Sequence, residues 1–249
     1  MERWNNRIAV VTGASSGIGA AIVRHLATRG LVVVGLARRV ERVEALRNEV
    51  DAAAAKLIHG LQCDMRNEAE VVAAFKKIEA KYGPVAVLVN NAGIGRHSSL
   101  LAEGSSHDAR DIIETNVLGL VNATREAFRS MKANGGDGHV FLINSIAGHR
   151  VPSVLSIPMN IYSPSKFAVT ALAEVYRQEF LSMQTQVKIT SISPGFVDTE
   201  IITSEMAEKL KNMPRLKADD VADALIYCLQ TPPHVQIHEL TIKPVGEKV

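Results

Sequence analysis

The chain has 249 residues, 28 basic and 26 acidic side chains and a formal charge of +2, so no strong field draws it to nucleic acid or anionic lipid. Its 47% hydrophobic content is enough for a substantial core. Two cysteines, Cys63 and Cys228, and eight scattered histidines show no metal-ligand spacing, so buried thiols are expected and a metal centre is not.

Residues 1–7 are polar and run into an apolar strand at 7–12, with no signal-peptide pattern. Apolar runs along the chain are strand-length, so no membrane span is expected and a cytoplasmic protein follows. The first strand leads into Gly13-Ala14-Ser15-Ser16-Gly17-Ile18-Gly19 and a helix at 18–28. Glycines let a backbone turn tightly against a pyrophosphate, and a helix amino terminus offers free N–H groups to it. The spacing G-x-x-x-G-x-G differs from the more common G-x-G-x-x-G dinucleotide pattern. The second strand, 31–36, ends at Arg38 and Arg39, about 20 residues past the glycines, where an acidic residue would bond a free ribose 2′-hydroxyl. Guanidinium groups suit a 2′-phosphate instead, which favours NADP, although two solvated arginines at a strand end are the plainer alternative.

Further along, a helix at 42–50, a strand at 56–63 and a helix at 68–81 precede a strand at 85–89. A long helix at 108–132, a strand at 139–144, a helix at 162–181, a strand at 187–192, a helix at 220–229 and a last strand at 236–242 complete the pattern. Alternating strands and helices imply an α/β fold with a parallel sheet covered on both faces. No linker, repeat or charge block divides the chain, so one domain is expected over 1–249. Tyr162 and Lys166, at i and i+4, share a helix face, and a nearby cation favours phenolate, which makes the tyrosine an acid/base candidate. By itself the pair fits equally well a surface aromatic packed on a lysine stem.

The motifs T-G-x-x-x-G-I-G at 12–19, Asn90-Asn91-Ala92-Gly93, Ser145, Y-x-x-x-K at Tyr162 and Lys166, and Pro194-Gly195 occur in that order. Over essentially the whole chain this set resembles the short-chain dehydrogenase/reductase family. The resemblance implies a single Rossmann-type, doubly wound, seven-stranded parallel sheet. It also implies that Gly13, Ser15, Ser16, Gly17, Ile18 and Gly19 cradle a dinucleotide, that Asp64 and Met65 meet its adenine, and that Asn90, Asn91, Ala92 and Gly93 run along its adenosine half. Read locally, Asp64 could instead cap the helix that starts near Asn67, and the Asn90–Gly93 run could be only a turn ending a strand. By the same resemblance Asn116 bends its helix and serves a proton relay, Ser145 donates to the substrate oxygen, and Tyr162 exchanges the proton. Lys166 lowers the tyrosine pKa and bonds the nicotinamide ribose, while Pro194, Gly195, Val197 and Thr199 close over the carboxamide.

The segments 147–151, 168–172 and 235–237 resemble a subgroup that acts on hydrophobic alcohols or ketones, isoprenoid or steroid. A long interval from Ser145 to Tyr162 supplies Val151, Val154, Leu155 and Ile157, and the segment after Gly195 supplies Phe196, Ile201, Ile202 and Met206. They form an expected apolar substrate wall, or a loop packed on its own core. The expected reaction is NADP-dependent hydride transfer on an isoprenoid alcohol such as farnesol. The alternatives are a hydroxysteroid or general carbonyl reductase and, more remotely, a dinucleotide sensor without chemistry. A homodimer or homotetramer is expected through helices 108–132 and 162–181, where Ala168, Ala171 and Ala173 allow close approach.

Overall fold

The structure, a computed structural model, describes residues 1–152, 158–200 and 212–247. Strands β1 (Ile8–Thr12), β2 (Val32–Ala37), β3 (Ile58–Gln62), β4 (Val85–Asn90), β5 (Asp137–Ile143), β6 (Gln186–Pro194) and β7 (Glu239–Ile242) form one sheet in the order β3-β2-β1-β4-β5-β6-β7. Every neighbouring pair is parallel. Successive side chains of a strand point to opposite faces, so an unbroken apolar run feeds two cores at once. In β1, Ala9 and Val11 join one buried cluster and Ile8 and Val10 the other. The first cluster is closed by α1 (Gly17–Ala27), α2 (Val40–Ala45) and the helix Ala218–Leu229; the second by α4 (Glu68–Tyr82), α6 (Gly119–Ala133) and α7 (Tyr162–Ser182). After β3 the chain crosses to the other side of β1 to lay down β4, which opens a crevice at the carboxyl ends of β1 and β4.

The two edge strands are shorter than their apolar runs predict. In the approach to β7, side chains replace ladder bonds: Gln236 accepts from the Ile189 N–H at 3.1 Å and Thr190 Oγ1 donates to the Ile237 carbonyl at 2.6 Å. The expected helix at 42–50 is instead α2 followed by a 3₁₀ turn, Leu46–Glu49, and a short α3 (Ala52–Ala55) whose first N–H groups are capped by Asp51. The long helix expected at 108–132 is three pieces: α5 (Ser106–Ile113), a π turn over Glu114–Leu118, and α6. The last helix, α8 (Ala218–Leu229), starts two residues earlier than expected, where Asp220 accepts from the Lys217 N–H at 2.7 Å. The polar lead-in holds a 3₁₀ turn, Glu2–Trp4, whose buried Trp4 donates from Nε1 to the Leu229 carbonyl at 2.9 Å. That bond ties the amino terminus to the end of α8.

Candidate active site

Gly13 and Gly17 have φ of +65° and +54°, a region that side chains disfavour. A Cβ on Gly13 would also lie 2.7 Å from the Ala92 Cα. Ser16 caps α1 with no side-chain bond to its first turn, where a helix offers N–H groups to an anion. Ser15, Ser16, Gly17 and Ile18 line the crevice with Gly13, whereas Gly19 packs beneath the loop against the Gly13 carbonyl and the Asn91 side chain. The loop is pinned from β4: Thr12 Oγ1 accepts from the N–H groups of Asn91 and Ala92 at 3.1 and 3.0 Å, and Asn91 Nδ2 donates to the carbonyls of Thr12 and Gly13 at 2.9 and 3.1 Å. Asn91, Ala92 and Gly93 border the cleft. Asn90, expected beside them, is buried and donates to Thr124 at 2.9 Å, so it braces β4 on α6 and stays out of the cleft lining.

At the outer end Arg38 and Arg39 stand exposed where β2 ends, and Asp64 and Met65 form the adjoining wall. The alternative that Asp64 caps the following helix is overturned, because Asn67 takes the Glu70 N–H of α4. Asp64 is held by Arg66 at 2.7 Å, and that hydrogen bond is the main cause of its lowered pKa. Arg66 and Arg96 both reach the buried Asp111, at 3.1 and 3.0 Å. Sequence reading singled out none of Arg66, Arg96 and Asp111.

At the inner end the π turn aims Asn116 at two neighbours. Its Oδ1 accepts from the Ile94 N–H at 2.8 Å, and its Nδ2 donates to the Ile94 carbonyl and to Ser165 Oγ, both at 3.0 Å. Ser165, another residue missed in the sequence, donates in turn to the Tyr162 carbonyl at 2.6 Å. Ser145 follows β5 and accepts from the Ala147 N–H at 3.1 Å, and a side-chain hydrogen bond joins it to Tyr162. Lys166, 7% exposed, donates from Nζ to the Ile143 carbonyl at 2.8 Å and lies 5.8 Å from the centroid of the Tyr162 ring.

Burial drives the charges of this group. It raises the Tyr162 pKa, with the Ser145 bond acting in the opposite direction, and lowers that of Lys166 to about 8. Desolvation of the phenolate thus outweighs the Ser145 bond, a net shift opposite in direction to the depression expected from the lysine. Ser145, Tyr162 and Lys166 nonetheless line the same end of the cleft, a hydroxyl bonded to a phenol with an ammonium beside the ring.

Pro194, Gly195, Val197 and Thr199 line the roof. That segment is anchored by a bridge from Val197 to Leu216 and by Glu247, whose carboxylate is 2% exposed and accepts from the Phe196 N–H at 2.9 Å. Glu247 packs on Gly195 where a Cβ would stand, a contact that sequence spacing could not indicate. One cleft of about 470 Å³ joins Arg38, Arg39 and Asp64 to Ser145, Tyr162 and Lys166. Of the expected apolar wall, Phe196 lines the cleft, Val151 is 64% exposed and takes no part, and Val154, Leu155, Ile157, Ile201, Ile202 and Met206 lie outside the described residues. Ile94, Ile146, Pro152, Met159 and Met213 supply apolar surface in its place. Among the described residues no group of three metal-binding side chains occurs.

Residues 7–210 match the family model described as short chain dehydrogenase. The chain belongs to that family. Farnesol dehydrogenase of Aedes aegypti is 49% identical to this short-chain dehydrogenase over 249 residues, all of both chains. Dehydrogenase/reductase SDR family member 11 of Mus musculus is 43% identical, covering 99% of this chain and 97% of its own. A solved serine dehydrogenase in complex with NADP+ superposes with a TM-score of 0.84 at 28% identity, covering 97% of this chain and 96% of that one. The alcohol dehydrogenase of Thermococcus sibiricus complexed with 5-hydroxy-NADP gives 0.81 at 30%, covering 98% of each. The short-chain dehydrogenase is thus an oxidoreductase with the Rossmann-type fold, and the glycine cradle and the first turn of α1 fit a dinucleotide.

Proposed function

We propose that the protein transfers hydride between NADP and a hydrophobic alcohol or carbonyl, an isoprenoid alcohol such as farnesol ahead of a ketosteroid. The observation that carries this reading is the continuity of one cleft between the Arg38 and Arg39 guanidiniums and the Ser145, Tyr162 and Lys166 group. Gly13, Ser15, Ser16, Gly17 and Ile18 would hold the pyrophosphate, Asp64, Met65, Asn91, Ala92 and Gly93 the adenosine half, and Pro194, Gly195, Val197 and Thr199 the carboxamide end. Bound there, the nicotinamide supplies or accepts the hydride.

The protein's own residues manage the oxygen. In reduction Tyr162 Oη gives its proton to the carbonyl oxygen while Ser145 Oγ donates a hydrogen bond to it; oxidation reverses the transfer. Ser145 acts as a donor, with no activating histidine in contact among the described residues. Lys166 lines the cleft, where it would hold positive charge behind the phenol and meet ribose hydroxyls. Asn116 acts through Ser165 and the Tyr162 carbonyl to set the start of α7.

The 49% identity to a farnesol dehydrogenase and the apolar lining support the substrate class, and Cys63 and Cys228, both free and buried, suit a reducing cytoplasm. We also propose a homodimer or homotetramer of this one-domain chain, because Leu118, Phe167, Val175 and Leu181 expose apolar surface on the π turn and α7. Of the three alanines expected at that contact, Ala173 instead faces the core. Steady-state absorbance at the nicotinamide band, with farnesol, hydroxysteroids and both cofactors, tests the assignment. A preference for steroids would replace the substrate and keep the chemistry; no turnover with any alcohol or ketone would leave only a dinucleotide binder.

A further inference from the structure

The outer mouth of the cleft holds an anion of the protein's own. Thr199 lies over the amino terminus of α1, where a Cβ on Gly17 would come within 3.2 Å of its Cγ2. From this position the next residue, Glu200, reaches across the crevice to the β2 side. Its Oε2 accepts from Arg39 Nη2 at 3.1 Å and its Oε1 from Arg42 Nη1 at 2.8 Å. One carboxylate oxygen on each of two guanidiniums is the arrangement a phosphate would also adopt. The three side chains are 46%, 45% and 57% exposed for Arg39, Arg42 and Glu200, so an incoming anion has access and the pairs are weakly held.

We propose that Glu200 competes with the cofactor 2′-phosphate for Arg39 and Arg42, and that Arg42 is a further phosphate-binding residue of this site. The inference rests on the NADP reading given above. A 2′-phosphate and the Glu200 carboxylate cannot share the same N–H donors without repulsion, so NADP must displace Glu200. A nucleotide without that phosphate leaves the pairs intact. Glu200 thereby weakens NADP binding and leaves NAD binding unchanged, which sets the discrimination below what the arginines alone would give.

Isothermal titration of adenosine 2′,5′-bisphosphate and of 5′-AMP against the full-length protein isolates the 2′-phosphate. Glu200→Gln keeps the shape and removes the charge. It is expected to tighten the bisphosphate roughly three- to tenfold, the scale of exposed ion pairs, with 5′-AMP unchanged. Arg42→Gln is expected to weaken the bisphosphate by a similar factor and to flatten its salt dependence. If Glu200→Gln leaves bisphosphate affinity unchanged or lowers it, Glu200 is not a competitor and the inference is overturned. An unchanged affinity in Arg42→Gln removes Arg42 from the site. If the bisphosphate binds no tighter than 5′-AMP to the wild-type protein and to Glu200→Gln alike, the NADP reading itself fails, an outcome distinct from the other two.

Discussion

Tyr162→Phe keeps the ring and its packing while deleting the hydroxyl proposed as the proton donor, and general acid/base groups are worth about 10² to 10⁴ in rate. Turnover should fall by that factor with NADP binding preserved, measured by single-turnover absorbance and by titration; near-normal turnover would remove Tyr162 from the chemistry. Lys166 links stability to pH. Burial lowers its pKa from 10.5 to about 8, so between those values the unfolded chain binds more protons than the folded one, and stability rises with pH across that window. The cost of burying the ammonium is therefore present at neutral pH and relieved above it, about 3 kcal/mol in all. Lys166→Met should be inactive, and its stability relative to wild type should decline as pH rises from 8 towards 10 in denaturant titrations. A difference that stays flat with pH would contradict the buried-charge account.

The elements legible in the sequence were those with strong periodicity: β1, β2, β4, β5 and β6 lie where unbroken apolar runs predict them. The π turn was not legible in the apolar pattern, which continues from α5 to α6 through it; the resemblance alone marked Asn116 as the place of a bend, and the bonds of Asn116 to Ile94 and Ser165 are made where the helix widens. β7 fell short because the Gln236 and Thr190 side chains take bonds that the pattern assigns to backbone. At this scale Gly13→Ala is a sharp test, since it combines a positive φ with a contact to the Ala92 backbone. It should destabilise the fold by about 1–3 kcal/mol and weaken dinucleotide binding, read by thermal melts with and without NADP. An alanine variant of wild-type stability and affinity would show that the turn does not need glycine.

Across the whole molecule, the glycine loop, Ser145, Tyr162 and Lys166 could be found by motif, whereas the contacts that complete the cleft join distant positions. Glu200 meets Arg39 and Arg42 across separations of 161 and 158 residues, and Glu247 meets Phe196 across 51. Ion pairs of that kind have no local signature, so only the fold shows them. The assembly is tested by Phe167→Asp with Val175→Asp, which places charge on the exposed face of α7; light scattering should show smaller particles than wild type, and a wild type already monomeric at micromolar concentration would refute the interface.

In the proposed function one cleft couples an NADP-binding end to a proton-exchanging end. The most direct measurement of that coupling is the catalytic efficiency of NADP reduction by geraniol, farnesol and a short polar alcohol, repeated with NAD. Each buried methylene is worth about 0.8 kcal/mol, so an added isoprene unit should raise kcat/KM severalfold or more until the cleft is filled. Farnesol should exceed geraniol, geraniol the short alcohol, and NADP should exceed NAD. Equal efficiency for farnesol and the short alcohol, or a preference for NAD, would contradict the proposed function.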